Sequence, residues 1–179
     1  ARKIGESDSA LAAEYLRIIG DFERIADHSV NILESAEEMQ QKGIAFSAAA
    51  LQEYATMAGA VREVTALAYD SFVSGDVQAA RQVEPLEQVI DDLKEEMRTR
   101  HIRRMQQGSC GIEAGFIWSD LLTNLERVSD HCSNIACCMI EGADHNLHRH
   151  EVLQSIRGSG EIFDREYSSY LQKYALTVE

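Results

Sequence analysis

The apolar positions of this chain fall at helical spacing almost from end to end. Between Ser9 and Gln41 the row Ile18, Phe22, Ile25, Ser29 and Ile32 recurs every three or four residues, with Ile19, Ala26 and Leu33 beside it. That spacing predicts a long amphipathic helix, and Gly43 ends it as a C-terminal glycine would. A second stripe (Leu51, Tyr54, Met57, Ala58, Val61, Val64, Leu67, Ala68) predicts a helix from about Ser47 to Val73. Ser74-Gly75-Asp76 reads as a turn with an N-cap, followed by a short helix from Val77 to Val83. Pro85 suits the first turn of the next helix, which runs to about Gln107. Beyond the break at Gly108-Ser109-Cys110-Gly111, a fourth long helix covers Glu113 to Ile140, with Ile117, Leu121, Leu125, Val128, Cys132 and Ile135. A loop from Gly142 to about Arg149 leads to a last helix, Val152 to Tyr174, interrupted at Gly158-Ser159-Gly160. Five principal helices and no sheet are expected: an all-α, antiparallel helical bundle.

Ten positions in this pattern occur twice. Glu23-Arg24-Ile25-Ala26-Asp27-His28-Ser29-Val30-Asn31-Ile32 returns 103 residues later as Glu126-Arg127-Val128-Ser129-Asp130-His131-Cys132-Ser133-Asn134-Ile135, with six identities. Five of the six are Glu, Arg, Asp, His and Asn, so the repeated property is polar chemistry rather than core packing. Two long helices and a short one precede the second copy, yet only 22 residues precede the first. Duplicated three-helix units are therefore expected, the first incomplete at its N-terminus. The division is 1–45 for the rest of the first unit, 46–142 for the second, and 143–179 for a C-terminal loop and helix.

Composition narrows the function. With 17 Lys+Arg against 30 Asp+Glu the formal charge is −13, which disfavours nucleic acid and broad adsorption on anionic lipid but suits a host for cations. No apolar run approaches the roughly 20 residues a membrane span requires, so direct membrane insertion is not expected. Cys110, Cys132, Cys137 and Cys138 fit no zinc spacing, and the adjacent pair is awkward for a disulfide, which reads as reduced thiols in a cytoplasmic setting.

In a helix, residues i and i+4 share a face about 6 Å apart, so Glu23 points with Asp27 and Glu126 with Asp130. Like charges so placed repel unless a cation neutralises them, and carboxylates are hard ligands suited to that role. The bland alternative is that Arg24, Arg127 or other cations pair with them on solvated faces. Glu87 and Asp91 repeat the spacing on the helix before the second copy, expected to be its antiparallel neighbour. Facing carboxylate rows are how helical bundles build multinuclear metal sites. His28 and His131 lie about 100° round the helix from the neighbouring Asp.

Glu-Arg-[Ile/Val]-x-Asp-x-x-x-Asn-Ile, once per half of a duplicated bundle, resembles the PhoU family of phosphate-uptake regulators; Ala26 and Ser129 stand where that family usually has Gly. The wording Asp21 to Ile32 and the tail Tyr167 to Leu176 look most like the PhoU-type cytoplasmic domain of sodium/phosphate cotransporter-family proteins. The resemblance implies two related three-helix bundles, regulation of phosphate uptake through protein contacts, and clusters of iron or another transition metal. By matched position it implies metal ligands Glu87, Asp91, Glu126 and Asp130 in one site, with Glu23 and Asp27 alone in the other. It further implies a membrane transporter portion or transport and signalling proteins as partners, at the cytoplasmic face of the inner membrane. The alternative is a metal-free helical interaction module, a free-standing PhoU-like adaptor.

Other features carry less. His145, His148 and His150 read as exposed loop histidines; Arg98, Arg100, Arg103 and Arg104 read as cations at a helix C-terminus. Phe116 and Trp118 are expected in the core. No nucleophile elbow, Walker loop or His-Glu-x-x-His is present, and neither signature has the Glu-x-x-His of di-iron bundles, so no enzyme is expected. The apolar side of Ile18, Phe22, Ile25 and Ile32 is expected to be under-covered within one chain, which predicts a homodimer.

Overall fold

A computed structural model describes residues 5–143, 149–158 and 160–177, the side chains of Glu6, Ser7, Arg149 and His150 excepted. Among the described residues seven helices follow one another: α1 (Glu6–Lys42), α2 (Ala48–Ser74), α3 (Val77–Ala80), α4 (Val83–Gln106), α5 (Ile112–Ala143), α6 (Arg149–Arg157) and α7 (Glu161–Lys173). No strand occurs among the described residues. The expected last helix is two, because Gly160, at φ +54°, takes a backbone that other residues rarely adopt. His145 and His148, and the side chain of His150, lie outside the described residues.

The turn chemistry sets the helix ends. Gly43 (φ +64°) and Gly75 (φ +69°) are left-handed caps whose N–H groups donate to Gln40 and Phe72 carbonyls. Ser47 caps α2 by accepting from the Ala50 N–H, and the Asp76 carboxylate caps α3 by accepting from Gln78 and Ala79.

The core is one cluster. Ile18 of α1, Met57 and Val64 of α2, Leu86, Ile90 and Met97 of α4, Trp118 and Ile135 of α5 and Val152 of α6 are fully or almost fully buried within it. α5 is the central helix: α1, α2, α4 and α6 all pack against it. A buried ion pair ties α2 to α4, Arg104 donating to both Glu53 oxygens at 2.8 Å from beneath the Trp118 ring. α7 lies on α4, where Tyr167 donates to Asp92, and it reaches α2 where Lys173 and Tyr174 both donate to Glu63.

Two core assignments need correction. Phe116 is exposed rather than buried, because it lies 200° round α5 from Trp118 and faces outward on the α4–α5 seam. Ile18 is fully buried, whereas Phe22, Ile25 and Ile32 are half-buried against the core and Ile25 and Ile32 line an open groove between α1 and α2, so the expected under-coverage holds for part of the row. The apolar residues α1 leaves uncovered are Leu11, Tyr15, Leu16, Ile19, Val30 and Leu33.

Candidate metal centre

The two signature helices pack antiparallel, and the histidine and asparagine of each signature join them. His28 Nδ1 lies 2.9 Å from Asn124 Oδ1, and Asn31 Nδ2 donates to the same oxygen at 3.1 Å. The mirror set holds His131 Nδ1 at 2.7 Å and Asn134 Nδ2 at 3.1 Å from Asp21 Oδ1. Both acceptors are oxygens, so each imidazole carries its proton on Nδ1. The two rings stack between these sets with centroids 5.6 Å apart. Asp21 and Asn124 are separated by the same 103 residues as the signature copies, so the clasp has an approximate two-fold. His and Asn of the repeat thus hold the halves together. Asp21 and Asn124 lie two residues before the repeated decapeptide and differ in type; extending the offset by half a turn is the signal that finds them.

The carboxylates sit on a different stripe. α4 and α5 run antiparallel, so Glu87 and Asp91 face Asp130, and ligand atoms of these three lie within 4.8 Å of one another. Glu126, the fourth residue the sequence assigns, is drawn aside by Lys94, whose Nζ lies 3.0 Å from its Oε1. Arg127 holds Asp130 Oδ2 at 3.0 Å, so the bland pairing expected from the sequence accounts for part of the second copy. Glu84 joins the row one turn before Glu87. Buried, it accepts from Ser133 at 2.8 Å and from Arg157 at 2.7 and 2.9 Å. Nothing in the sequence marked Glu84 or Arg157, whose pairing spans 73 residues.

The electrostatics are those of an under-neutralised site. Burial, then the charges of Glu84, Asp91 and Asp130, push the Glu87 carboxyl up to about 8. Burial, then Glu126 and Asp130, push Asp91 to about 6, and burial with Glu126 raises Asp130. Glu87 Oε2, Asp91 Oδ1 and Glu126 Oε2 are buried with no hydrogen-bond partner. Carboxyl oxygens buried without a hydrogen bond are costly, and several from two helices make a hard, all-oxygen donor set that fits a cation. Glu23 and Asp27 are exposed on α1 and make no ion pair among the described residues; no second carboxylate row faces them there. The structure thus brings together Glu87, Asp91 and Asp130, keeps Glu126 one salt bridge away, and leaves Glu23 and Asp27 apart.

Comparison with known proteins follows the same lines. The PhoU domain family matches residues 1–36 and 54–139, which include both signatures and the α4 carboxylates. Phosphate-specific transport system accessory protein PhoU homolog 1 of Thermotoga maritima is 28% identical over 149 residues, covering 83% of this chain and 63% of that protein. The PhoU homolog of Deinococcus radiodurans is 26% identical over 132 residues, covering 72% of this chain and 59% of its own. A second Thermotoga maritima protein, PhoU homolog 2, is 24% identical over 156 residues, 83% of this chain and 63% of its own. The chain therefore spans about three-fifths of the length of the curated relatives it matches. No solved structure matches it. By its family match over most of its length, its duplicated signature and its helical architecture, this chain belongs to the PhoU family.

Proposed function

We propose that this chain is a non-enzymatic accessory domain that regulates phosphate uptake through contacts with transport or signalling proteins, and that it binds a hard cation between α4 and α5. The regulatory part rests on its relatives, which are named as accessory proteins of phosphate-specific transport. Those names favour an accessory protein over a domain attached to a sodium/phosphate cotransporter. The attached setting is supported only by the sequence wording of α1 and the tail. No described helix is long and apolar enough to cross a membrane.

The observation that carries the cation reading is the set of buried oxygens of Glu87, Asp91 and Glu126 that accept no hydrogen bond, beside Asp130. Glu87, Asp91 and Asp130 would hold the ion, with Glu126 joining when Lys94 turns away. A cation supplies charge neutralisation and rigidity to the α4–α5 seam. An all-oxygen set suits iron(III), manganese, magnesium or calcium rather than softer metals. Elemental analysis after chelator-free purification, with melting followed under added Mn²⁺ and Fe³⁺, is the direct test. Bound metal, and stabilisation by either ion that is lost in Glu87→Gln with Asp91→Asn, supports the reading. A chain without metal and indifferent to both ions leaves the metal-free adaptor as its function. The regulatory part is tested by whether the gene restores phosphate control in a strain deprived of its own PhoU protein.

A further inference from the structure

The carboxylate row is already met by one cation from elsewhere in the chain. Arg157, the last residue of α6, donates to Glu84 Oε1 through both Nε and Nη2, and its Nη2 lies 4.0 Å from Glu87 Oε2. Half of the Arg157 side chain is exposed, whereas Glu84 is buried, so the arginine reaches in from the rim. The helix that carries it is nine residues long, and Val152 and Ile156 are its buried apolar side chains. α7 is anchored separately, on Glu63 and Asp92, and Gly158 and Gly160 separate the two helices. α6 and α7 are thus held by different polar partners, while Ile156 of α6 shares a cavity with Ile162 and Phe163 of α7.

Resting on the cation reading above, the geometry points to α6 as an autoinhibitory strap: Arg157 is a tethered counter-ion that competes with a divalent cation for the carboxylates of α4 and α5. With Arg157 docked, the row is partly neutralised, Glu84 is occupied, and an incoming cation meets a positive charge beside Glu87. A divalent ion among Glu87, Asp91 and Asp130 repels the guanidinium in return, which weakens the hold of α6. When Arg157 departs, Glu84 Oε1 is released to the cation side. Coupling of this kind is reciprocal: a bound cation weakens the docking of α6 by the same factor as undocking of α6 tightens cation binding. The signal is then the undocking of α6, which uncovers the seat of Val152 and Ile156.

Mn²⁺ is the probe, and the whole 179-residue chain is the subject. Calorimetric titration of wild type, Arg157→Gln and Val152→Ala is compared with hydrogen exchange of α6 with and without Mn²⁺. Val152→Ala loosens the strap without touching any charge, and so separates displacement of α6 from a mere change of local potential. We expect both variants to bind Mn²⁺ about ten-fold more tightly, within the usual range of coupling, and Mn²⁺ to speed exchange in α6 of wild type but not in α7. Equal or weaker binding in Arg157→Gln overturns the strap, as does Mn²⁺ protection of α6. Mn²⁺ binding that is normal in all three proteins leaves the cation site standing and removes only the strap. Absence of Mn²⁺ binding in all three removes the cation reading and the strap together.

Discussion

Glu87 concentrates the chemistry of the molecule in one side chain. Its carboxyl titrates near 8 against an ordinary 4.5, and Asp91 near 6 against 3.8. Both are raised, so the folded state binds more protons than the unfolded state between those values, and stability must fall as pH rises through the window. The metal-free protein is expected to melt highest near the lower end of that window and lowest above it, and Glu87→Gln should flatten the decline. A melting temperature of wild type that rises between pH 5 and pH 8 would contradict these shifts. Cation affinity should run the other way, climbing with pH because binding must displace the protons that Glu87 and Asp91 hold. Calorimetry in buffers of different ionisation heat reads that proton release directly. Residue choice matters here. Glu126→Gln strands Lys94, and Asp130→Asn loses an Arg127 contact, so either substitution mixes lost repulsion with a lost pair. Glu87→Gln removes repulsion more cleanly, and in the metal-free protein above neutral pH it should leave stability equal or higher. Glu87, Asp91 and Asp130 were legible in the sequence because i, i+4 spacing on two adjacent helices needs only helical geometry. Glu84 and Arg157 were not, since their contact depends on where a short terminal helix lands.

At the scale of elements, two polar locks decide how helices meet. The clasp between α1 and α5 shares each acceptor between a histidine and an asparagine, so its parts should be coupled. A double-mutant cycle of His131→Ala with Asp21→Ala is expected to show an interaction energy of about 0.5–3 kcal/mol in urea unfolding. The equivalent cycle of His28→Ala with Asn124→Ala should give less, because Asn124 brings no charge. Additive cycles would reduce the clasp to coincidental neighbours. The second lock, Glu53 with Arg104, is buried on both sides. Breaking it with Glu53→Ala strands a buried guanidinium and should cost about 3–5 kcal/mol, whereas replacing both partners with Met should be close to neutral. The helices themselves were readable because each long one carries an apolar stripe, and glycines mark the ends of α1 and α2. The clasp was half readable. His28, Asn31 and their copies stood out by repetition, yet repetition alone suggested ligands, since a sequence does not say which stripe of a helix faces its twin.

For the whole molecule, the offset of 103 residues makes a further comparison exact in register. Ile19, Glu23, Ala26, Val30 and Leu33 of α1 correspond to Leu122, Glu126, Ser129, Ser133 and Ala136 of α5. The α5 row is covered by α4, whereas Ile19, Val30 and Leu33 are about half exposed on α1. A row of that kind on one helix is the seam of a helix pair waiting for its second member. In the 179-residue chain a second copy offers the same row. Two α1 helices meeting antiparallel about a two-fold would set Glu23 of each opposite Asp27 of the other, so four carboxylates would gather as apolar neighbours close. Apolar burial would favour that dimer and charge would oppose it, and a divalent cation should shift the balance toward association. Light scattering of the chain is therefore expected to show self-association that Mn²⁺ strengthens. Glu23→Gln with Asp27→Asn should associate without needing the ion, having lost the repulsion, whereas Ile19→Glu with Leu33→Glu should stay monomeric with or without it. A clean monomer of wild type at tens of micromolar, unchanged by Mn²⁺, would mean that this α1 row has another occupant in the working protein. It would leave the proposal for the α4–α5 carboxylates, which meet within one chain, untouched.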